Sequence, residues 1–238
     1  MLEFAIRQNV DLTIVGSEAP LVAGIADRFA AAGKLLWGPT QAAARLEGSK
    51  VFAKEFMQRQ GIPTAPFRVF ADAVYAVEYI WDRNCPLVVK ADGLAGGKGV
   101  YVCDTADEAE TAIIALMVNM VHGAAGERVV IEDKLVGTEC SFFALVSGTK
   151  VVRFSTAVDY KRVYDGDQGP NTGGMGCYSP YESETFILRE KIMNRIVLPT
   201  VWGMNAEGNP YQGFLYVGVM LTAEGPQVLE FNVRRHPL

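Results

Sequence analysis

A glycine-rich segment between two short β-rich runs is the feature that most restricts how this chain can fold. The segment reads Lys90-Ala-Asp-Gly-Leu-Ala-Gly-Gly-Lys-Gly99, with four glycines within seven residues. Glycine lets successive backbone N–H groups turn toward one point and form an anion-binding concavity. Because Leu87–Lys90 and Val100–Cys103 are typical of strands, we interpret the loop as a flap between two strands with phosphates beneath it. A plain glycine-rich hairpin with solvated lysines is the alternative.

The two commonest phosphate-binding motifs do not fit this loop. The Walker pattern requires a glycine where the chain has Asp92 and a hydroxyl residue where it has Gly99. The G-x-G-x-x-G pattern fails at Val102, and the loop leads into a strand rather than a helix. Any phosphate site here is therefore of another type.

Length, composition and net charge limit the kinds of molecule that this chain can bind. The chain has 238 residues, 50% of them hydrophobic, and a net charge of −5, so it can bury a sizeable core and has no general attraction to nucleic acid or an anionic membrane. The spacing of the four cysteines and two histidines does not support a zinc site. We expect buried or half-buried free thiols in the cytoplasm, and neither a signal peptide nor a membrane span.

Hydrophobic periodicity predicts an α/β chain that changes character near residue 40. The first part reads as a partial parallel βαβ unit with one helix over about residues 21–32, and the rest as a mixed α+β body. A helix over residues 183–205, kinked or broken near Pro199, precedes a hairpin that turns at residues 224–226. Predicted strands and helices of the body are strands 67–70, 87–90, 100–103, 129–133, 140–146, 151–155, 214–221 and 227–233, and helices 40–47, 49–60, 72–81 and 107–121.

Residues 159–181 lack periodicity and are rich in Gly, Asp and Pro, which predicts a long loop. Asp159, Lys161, Arg162, Asp165 and Asp167 offer both signs of charge there. Such a loop would suit a zwitterionic or amino-acid substrate. A disordered loop is the alternative.

Two further segments have chemistry that depends on their strands. Glu230 and Asn232 alternate with Leu229, Phe231 and Val233, so the polar pair should share one face while the apolar side chains enter the core. A carboxylate and an amide oxygen so placed suit Mg²⁺, although an E-x-N pair by itself is more often part of an ordinary solvent-facing surface. Residues 131–140 leave one strand and enter another, and such a linker can bind an adenine edge or be only a charged loop.

Taken in order, a set of short motifs is similar to those of ATP-grasp ligases, and more closely to the phosphoribosylamine–glycine ligase family of purine synthesis. The resemblance extends from Asp11 to Arg234. It implies an N-terminal domain at residues 1–40, partial and Rossmann-like, and an ATP-grasp domain at 41–238 with a small lobe at about 65–135. The motifs are Glu18-Ala-Pro-Leu21, Gly38-Pro-Thr40, Leu46-Glu-Gly-Ser-Lys50, Lys90-Ala-Asp-Gly-Leu-Ala-Gly-Gly-Lys-Gly99, Gly169-Pro-Asn-Thr-Gly-Gly-Met-Gly176, Gly213-Phe-Leu-Tyr216 and Leu229-Glu-Phe-Asn232.

The resemblance also implies a reaction and a set of site residues. ATP would phosphorylate the glycine carboxylate, and the amine of 5-phosphoribosylamine would attack the glycyl phosphate, giving glycinamide ribonucleotide, ADP and phosphate. The ATP residues implied are Lys50, Lys90, Gly96, Gly97, Lys98, Gly99, Glu132, Asp133, Leu135 and Glu139, and those for Mg²⁺ or Mn²⁺ are Glu230 and Asn232. Catalytic roles fall on Arg234, Lys161 and Asp159, and substrate contacts on Glu18, Asn171, Thr172, Gly173 and Gly174.

The chain departs from the family pattern at both ends. The glycine-rich start of the family does not precede Met1, and the family pattern stops matching after Arg234. We expect a fragment that binds nucleotide with little turnover, and a monomer if intact, with small-molecule substrates and neither nucleic acid nor membrane as a partner. A non-catalytic Mg-ATP-binding module and another ATP-grasp carboxylate–amine ligase are the alternatives.

Overall fold

The structure, a computed structural model, describes residues 1–166 and 168–234, with the side chains of all but residues 161, 162, 170, 171 and 173. It contains both helices and sheets, which confirms the predicted α/β class. The helices are α1 Leu2–Arg7, α2 Glu18–Val22, α3 Ile25–Ala31, α4 Gln41–Gly48, α5 Lys50–Gln60, α6 Ala73–Arg83, α7 Ala106–Ile113, α8 Phe186–Ile192 and α9 Leu198–Ala206. The strands are β1 Thr13–Ile14, β2 Leu36–Trp37, β3 Phe67–Phe70, β4 Leu87–Ala91, β5 Val100–Cys103, β6 Val129–Asp133, β7 Thr138–Ser147, β8 Lys150–Tyr164, β9 Gln168–Tyr178, β10 Gln212–Thr222 and β11 Gly225–Asn232.

The larger sheet has the strand order β11-β10-β7-β8-β9, and all of its pairings are antiparallel. Its apolar face packs on α5, α9 and the α4 helix in one core that includes Phe56, Met57, Phe142, Val217 and Phe231. The N-terminal helices join the same core through Leu21 and Phe29. The end of β11 therefore lies close to the helices that precede the smaller sheet.

The smaller sheet has the order β3-β6-β4-β5 and is also antiparallel. One face is covered by α6 and α7, which form a second core with Ile80, Leu87, Val89, Ile113 and Ile131. Strand β4 is buried along its length, as its continuous apolar sequence predicts. The four strands of this sheet lie where the sequence predicts them.

The N-terminal segment confirms the parallel pairing but corrects the helix between the strands. Strands β1 and β2 pair in parallel, Thr13 with Leu36 and Ile14 with Trp37. The single helix predicted over residues 21–32 is two helices, because Gly24 adopts a left-handed φ of 79° between them.

The predicted long loop over residues 159–181 is wrong. Residues 159–164 and 168–178 lie in β8 and β9, which pair as a hairpin with register shifts near Arg162. Neither strand shows an alternating pattern, because side chains such as Tyr160, Tyr164 and Met175 stay exposed rather than alternating into a core. The backbone ladder forms the hairpin without an apolar stripe. Asp167 lies outside the described residues.

Three other predictions need correction. The helix after the hairpin begins at Phe186 and changes to a π-helical turn at Met193–Val197, just before Pro199. The final hairpin turns at residues 223–224, because Thr222 pairs with Gly225 and Pro226 already lies in the edge strand β11. The α7 helix likewise ends at Ile113, where a π-helical segment, Ile114–Val118, replaces the predicted continuation.

All four cysteines are free thiols, and Cys103 and Cys140 are buried as expected. Cys177 is exposed instead, since β9 packs on no core. Burial raises the pKa of Cys140 to about 12, which keeps this thiol protonated. Within the described residues, no helix combines the length and the apolar composition needed to cross a membrane.

Candidate functional site: where the two sheets meet

The flap is anchored at its base to the start of α5. The Asp92 carboxylate accepts hydrogen bonds from the Val51 backbone N–H at 2.9 Å and the Ser49 hydroxyl at 2.7 Å, and it pairs with Arg128. The Asp92 carbonyl accepts from the Lys50 N–H at 2.9 Å. These bonds hold Lys50 beside the flap, where its ammonium lies 3.5 Å from the Gly93 carbonyl oxygen. This arrangement could not be predicted from the sequence, because it joins residues about forty positions apart.

The flap itself has the backbone conformation that its glycines allow. Gly96 and Gly97 have φ values of 58° and 77° and are exposed with Lys98 at the tip. Gly99 is buried, and a Cβ there would lie 2.6 Å from the Ala95 Cβ. His122, which had no predicted role, is half-buried with a ring nitrogen 3.2 Å from the Lys98 carbonyl oxygen. The loop therefore crosses between β4 and β5 as a strand-to-strand flap.

Lys90 lies at the end of β4 and is almost completely buried. Its ammonium pairs with the Glu132 carboxylate, which also pairs with Lys54. It donates a second hydrogen bond, of 3.1 Å, to the Leu229 carbonyl on β11. Lys90 is therefore shared between the smaller sheet and the edge strand of the larger one. Glu132, predicted in the adenine linker, has its carboxylate committed to the two lysines.

Strand β11 presents the predicted metal pair. Glu230 is half-buried and Asn232 is 8% exposed, and they pair with Gly218 and Tyr216 of β10. The prediction that Leu229 enters the core is wrong. Leu229 occupies a bulge between Val228 and Glu230, and it is only half-buried because a bulge interrupts the alternation of faces.

The donor set of this strand fits a hard divalent cation. Glu230 and Asn232 offer a carboxylate and an amide oxygen at positions two apart, and such a cation takes its remaining ligands from phosphate and water. Among the residues that the structure describes, no group of three or more His, Cys, Asp or Glu side chains forms a metal cluster. Lys50 faces the same region: burial lowers its pKa, and attraction to Glu230 opposes that effect.

The predicted adenine linker runs from β6 to β7. The Asp133 N–H donates to the Pro66 carbonyl at 3.0 Å, and its carboxylate pairs with Arg83. Leu135 is half-buried. Glu139 lies on β7 opposite Met220 and is exposed.

Arg234 joins the end of β11 to the N-terminal segment. Its Nε lies 2.6 Å from Glu18 Oε2 and 3.4 Å from Glu47 Oε1. Glu47 Oε2 also accepts the Val233 N–H at 2.7 Å. Burial raises the pKa of Glu47 to about 7. The Arg234 Nη1 is shielded from solvent and has no hydrogen-bond partner among the described residues.

The hairpin holds the remaining predicted residues. Asp159 Oδ2 is shielded from solvent without a hydrogen-bond partner in the described part of the chain, and its Oδ1 lies 3.5 Å from where a Cβ on Gly174 would be. The Thr172 hydroxyl accepts the Gly174 N–H at 3.1 Å. The side chains of Lys161 and Asn171, the surroundings of Gly173, and His236 lie outside the described residues.

Three residues of this region were not predicted from the sequence: Lys54, Glu47 and Asp92. Lys54 and Glu47 lie on helices, where a charged residue is usually solvated, and nothing local marks them as buried. Asp92 had a usable signal: it lies in the glycine-rich segment beside Lys90, and a carboxylate there can cap a helix that begins elsewhere.

Family models and sequence relatives point to the same protein family. Residues 48–236 match "Phosphoribosylglycinamide synthetase, ATP-grasp (A) domain", and residues 1–47 match "Phosphoribosylglycinamide synthetase, N domain". The chain is 51% identical over 235 residues to phosphoribosylamine–glycine ligase of Yersinia pestis, covering 98% of this chain and 55% of that protein. It thus spans about half the length of the curated relatives it matches.

Solved structures agree. The structure is similar to that of phosphoribosylamine–glycine ligase from Thermotoga maritima, with a TM-score of 0.82 and 38% identity, covering 99% of this chain and 58% of that one. A biotin carboxylase domain from Hydrogenobacter thermophilus, solved with the magnesium salt of ADP, ADP and bicarbonate, has a TM-score of 0.77 at 19% identity over 98% of this chain and 50% of that one. The second likeness shows the fold alone. ATP-grasp enzymes use ATP with divalent metals, and the chain belongs to the phosphoribosylglycinamide synthetase family of these enzymes.

Proposed function

We propose that this chain carries the nucleotide site of a ligase that joins glycine to 5-phosphoribosylamine with consumption of ATP. The observation that carries the proposal is the convergence of Lys50, Lys90 and the flap with Glu230 on β11. A triphosphate with its metal ion requires this combination of cations, backbone N–H groups and oxygen ligands. The family match over residues 1–47 and 48–236 supports the choice of substrates.

The first step is phosphoryl transfer to glycine. A glycine carboxylate oxygen attacks the γ-phosphorus of ATP, ADP leaves, and glycyl phosphate forms. Lys50 and Lys90 neutralise the phosphate oxygens, and the flap excludes water. No protein nucleophile is needed, because positioning and charge neutralisation supply most of the rate.

The second step forms the amide bond. The amine of 5-phosphoribosylamine attacks the acyl carbon, phosphate leaves, and the amine releases a proton, giving glycinamide ribonucleotide. Arg234 is suited to the developing negative charge, since its Nη1 lacks a partner among the described residues. We assign Asp159 and Lys161 to the glycine side, with Asn171, Thr172, Gly173 and Gly174, and Glu18 to the ribosylamine side.

We also assign the contacts to the parts of the nucleotide. The linker from Glu132 through Asp133 to Leu135 would bind adenine mainly through its backbone, Glu139 the ribose, and Gly96 to Gly99 the phosphates. We also propose the division of the chain at about residue 40, with a small lobe at 65–135.

Glu230 and Asn232 would hold Mg²⁺ or Mn²⁺, which supplies further neutralisation of the phosphate charge when bound. Electron paramagnetic resonance of Mn²⁺ titrated into the chain with AMP-PNP tests this assignment. Glu230→Gln should bind less Mn²⁺ and so leave a stronger six-line signal of the free hydrated ion, whereas Glu224→Gln, at the exposed turn of the same hairpin, should bind Mn²⁺ as the unaltered chain does. Equal Mn²⁺ binding by both variants would place the metal elsewhere.

Two measurements on the purified chain test the proposed function. Calorimetry should show binding of Mg-AMP-PNP, and a coupled assay should show whether ADP forms only when glycine and 5-phosphoribosylamine are both present. Because the chain covers 55% of its relatives, we expect binding with little turnover. ADP release triggered by another acid and amine would indicate a different carboxylate–amine ligase. Binding without turnover, also in a chain extended to the full length of its relatives, would indicate a nucleotide-binding module.

A further inference from the structure

Two lysines share a single buried carboxylate where the smaller sheet meets strand β11. Side-chain exposure is 3% for Lys54, 7% for Lys90 and 2% for Glu132, and each lysine pairs with a different oxygen of Glu132. Two ammonium groups and one carboxylate give this triad a net charge of +1. A second buried cation is costly, because one lysine already neutralises Glu132. Its presence therefore requires an explanation beyond pairing.

The two ammonium groups differ in how many of their donors are used. Lys54 faces Glu132, the Thr64 hydroxyl at 2.7 Å and the Ala65 carbonyl at 3.4 Å, which accounts for its three N–H bonds. Lys90 faces only Glu132 and, at 3.1 Å, the Leu229 carbonyl in the described part of the chain. One N–H of Lys90 thus remains for a ligand, whereas Lys54 has none to offer.

Both lysines are also tied to consecutive residues of β11. Lys90 binds the Leu229 carbonyl directly. Lys54 reaches β11 through Thr64, whose hydroxyl donates to the Val228 carbonyl at 2.7 Å. Since Glu230 follows these two residues, the triad sets the position of Lys90 relative to the strand that carries the metal ligands.

We propose that Lys54 is a positioning residue for nucleotide binding: by sharing the Glu132 carboxylate, it leaves the triad with a net positive charge and Lys90 directed at the nucleotide phosphates. Without Lys54, Lys90 and Glu132 would form a neutral pair, and the carboxylate would draw the ammonium to itself. Burial lowers the pKa of Lys54 to about 8, so that the group is mostly protonated at neutral pH. This inference rests on the proposed nucleotide site and deepens it.

The proposal predicts a loss of affinity that grows with ligand charge. In Lys54→Met, calorimetry at pH 7 should show Mg-AMP-PNP binding about tenfold weaker, Mg-ADP binding weakened less, and adenosine binding changed by less than about twofold. Lys54→Gln, which retains a polar group, should give the same order. Lys150→Met, at the exposed β7–β8 turn, is the matched control and should bind all three ligands as the unaltered chain does.

A double-mutant cycle separates positioning from general damage. If Lys54 acts through Lys90, the effect of Lys54→Met on Mg-AMP-PNP affinity should shrink to less than about twofold in a Lys90→Met background. An equal loss for adenosine, unchanged AMP-PNP affinity, or additive effects in the cycle would overturn the proposal. So would failure of both Lys54 variants to fold, by circular dichroism, since Lys54 would then be a structural residue. If the unaltered chain binds adenosine but not Mg-AMP-PNP, the proposed function fails as well.

Discussion

The Lys90 ammonium donates a hydrogen bond of 3.1 Å to the Leu229 carbonyl. Lys90 is the next-to-last residue of a strand of the smaller sheet, and Leu229 is the bulged residue of the edge strand in the larger one. The bulge leaves this carbonyl outside the regular pairing with β10 and so makes it available to the lysine. The Lys90 side chain thus joins the smaller sheet to the strand that carries Glu230.

Replacing Lys90 should remove much of the phosphate affinity. In Lys90→Met we expect Mg-AMP-PNP to bind at least about tenfold more weakly, since a charge-assisted contact in a buried site is lost. Adenosine affinity should change little. Calorimetry measures both, with Lys150→Met as the control. Retention of full AMP-PNP affinity would show that Lys90 does not contact the phosphates.

Removal of the Asp92 carboxylate should destabilise the fold more than loss of an ordinary helix cap. Asp92→Ala leaves the Val51 N–H and the Ser49 hydroxyl without their acceptor in a site where Asp92 is 9% exposed, and should cost about 3 kcal/mol. Asp72→Ala removes only the 2.8 Å bond from the Val74 N–H at the exposed start of α6, about 1 kcal/mol. Urea unfolding compares the two variants, and similar losses would contradict the anchoring role of Asp92.

Glu47 should make stability depend on pH. Burial raises its pKa from 4.5 to about 7, so the folded state binds an additional proton between these values. Stability contributed by the protonated group is therefore present below pH 4.5 and is lost as pH rises to 7. In Glu47→Gln this dependence should disappear, and the difference in unfolding free energy between variant and unaltered chain should change by on the order of 3 kcal/mol from pH 4 to pH 8.

Urea unfolding at several pH values measures that difference. Glu55→Gln, an exposed carboxylate on α5, controls for the loss of one negative charge. A difference between Glu47→Gln and the unaltered chain that stays constant with pH would show that Glu47 has the same pKa in the folded and unfolded states.

Alanine at Gly99 should displace the flap. Its Cβ would lie 2.6 Å from the Ala95 Cβ and 3.2 Å from the Ala91 Cβ, closer than packed carbons allow. We expect a loss of about 1–3 kcal/mol in stability, measured by thermal or urea unfolding, together with weaker Mg-AMP-PNP binding. Gly16→Ala, where a Cβ meets nothing within 4 Å, is the matched control. Equal nucleotide affinity in the two variants would separate the flap from the phosphate site.

The strands of the smaller sheet could be predicted because their apolar runs are short and bounded by turn residues, as in Phe67–Phe70 and Val100–Cys103. The hairpin of β8 and β9 could not, since neither strand alternates in polarity when the hairpin packs on no core. The two helices around Gly24 are a similar case, because a glycine within a helical pattern does not reveal whether its φ is positive.

In the candidate site too, some features could be predicted from the sequence and others could not. Sequence alone determined where a flap, a linker and an E-x-N strand occur, because glycine, lysine and alternating polarity have local chemical signatures. Only the tertiary structure decided that Lys54 and Lys90 share Glu132, that Asp92 holds the start of α5, and that Arg234 lies between Glu18 and Glu47. These are contacts between residues far apart in the chain. Whether a charged side chain is solvated or buried against another is set by packing, which no local pattern encodes.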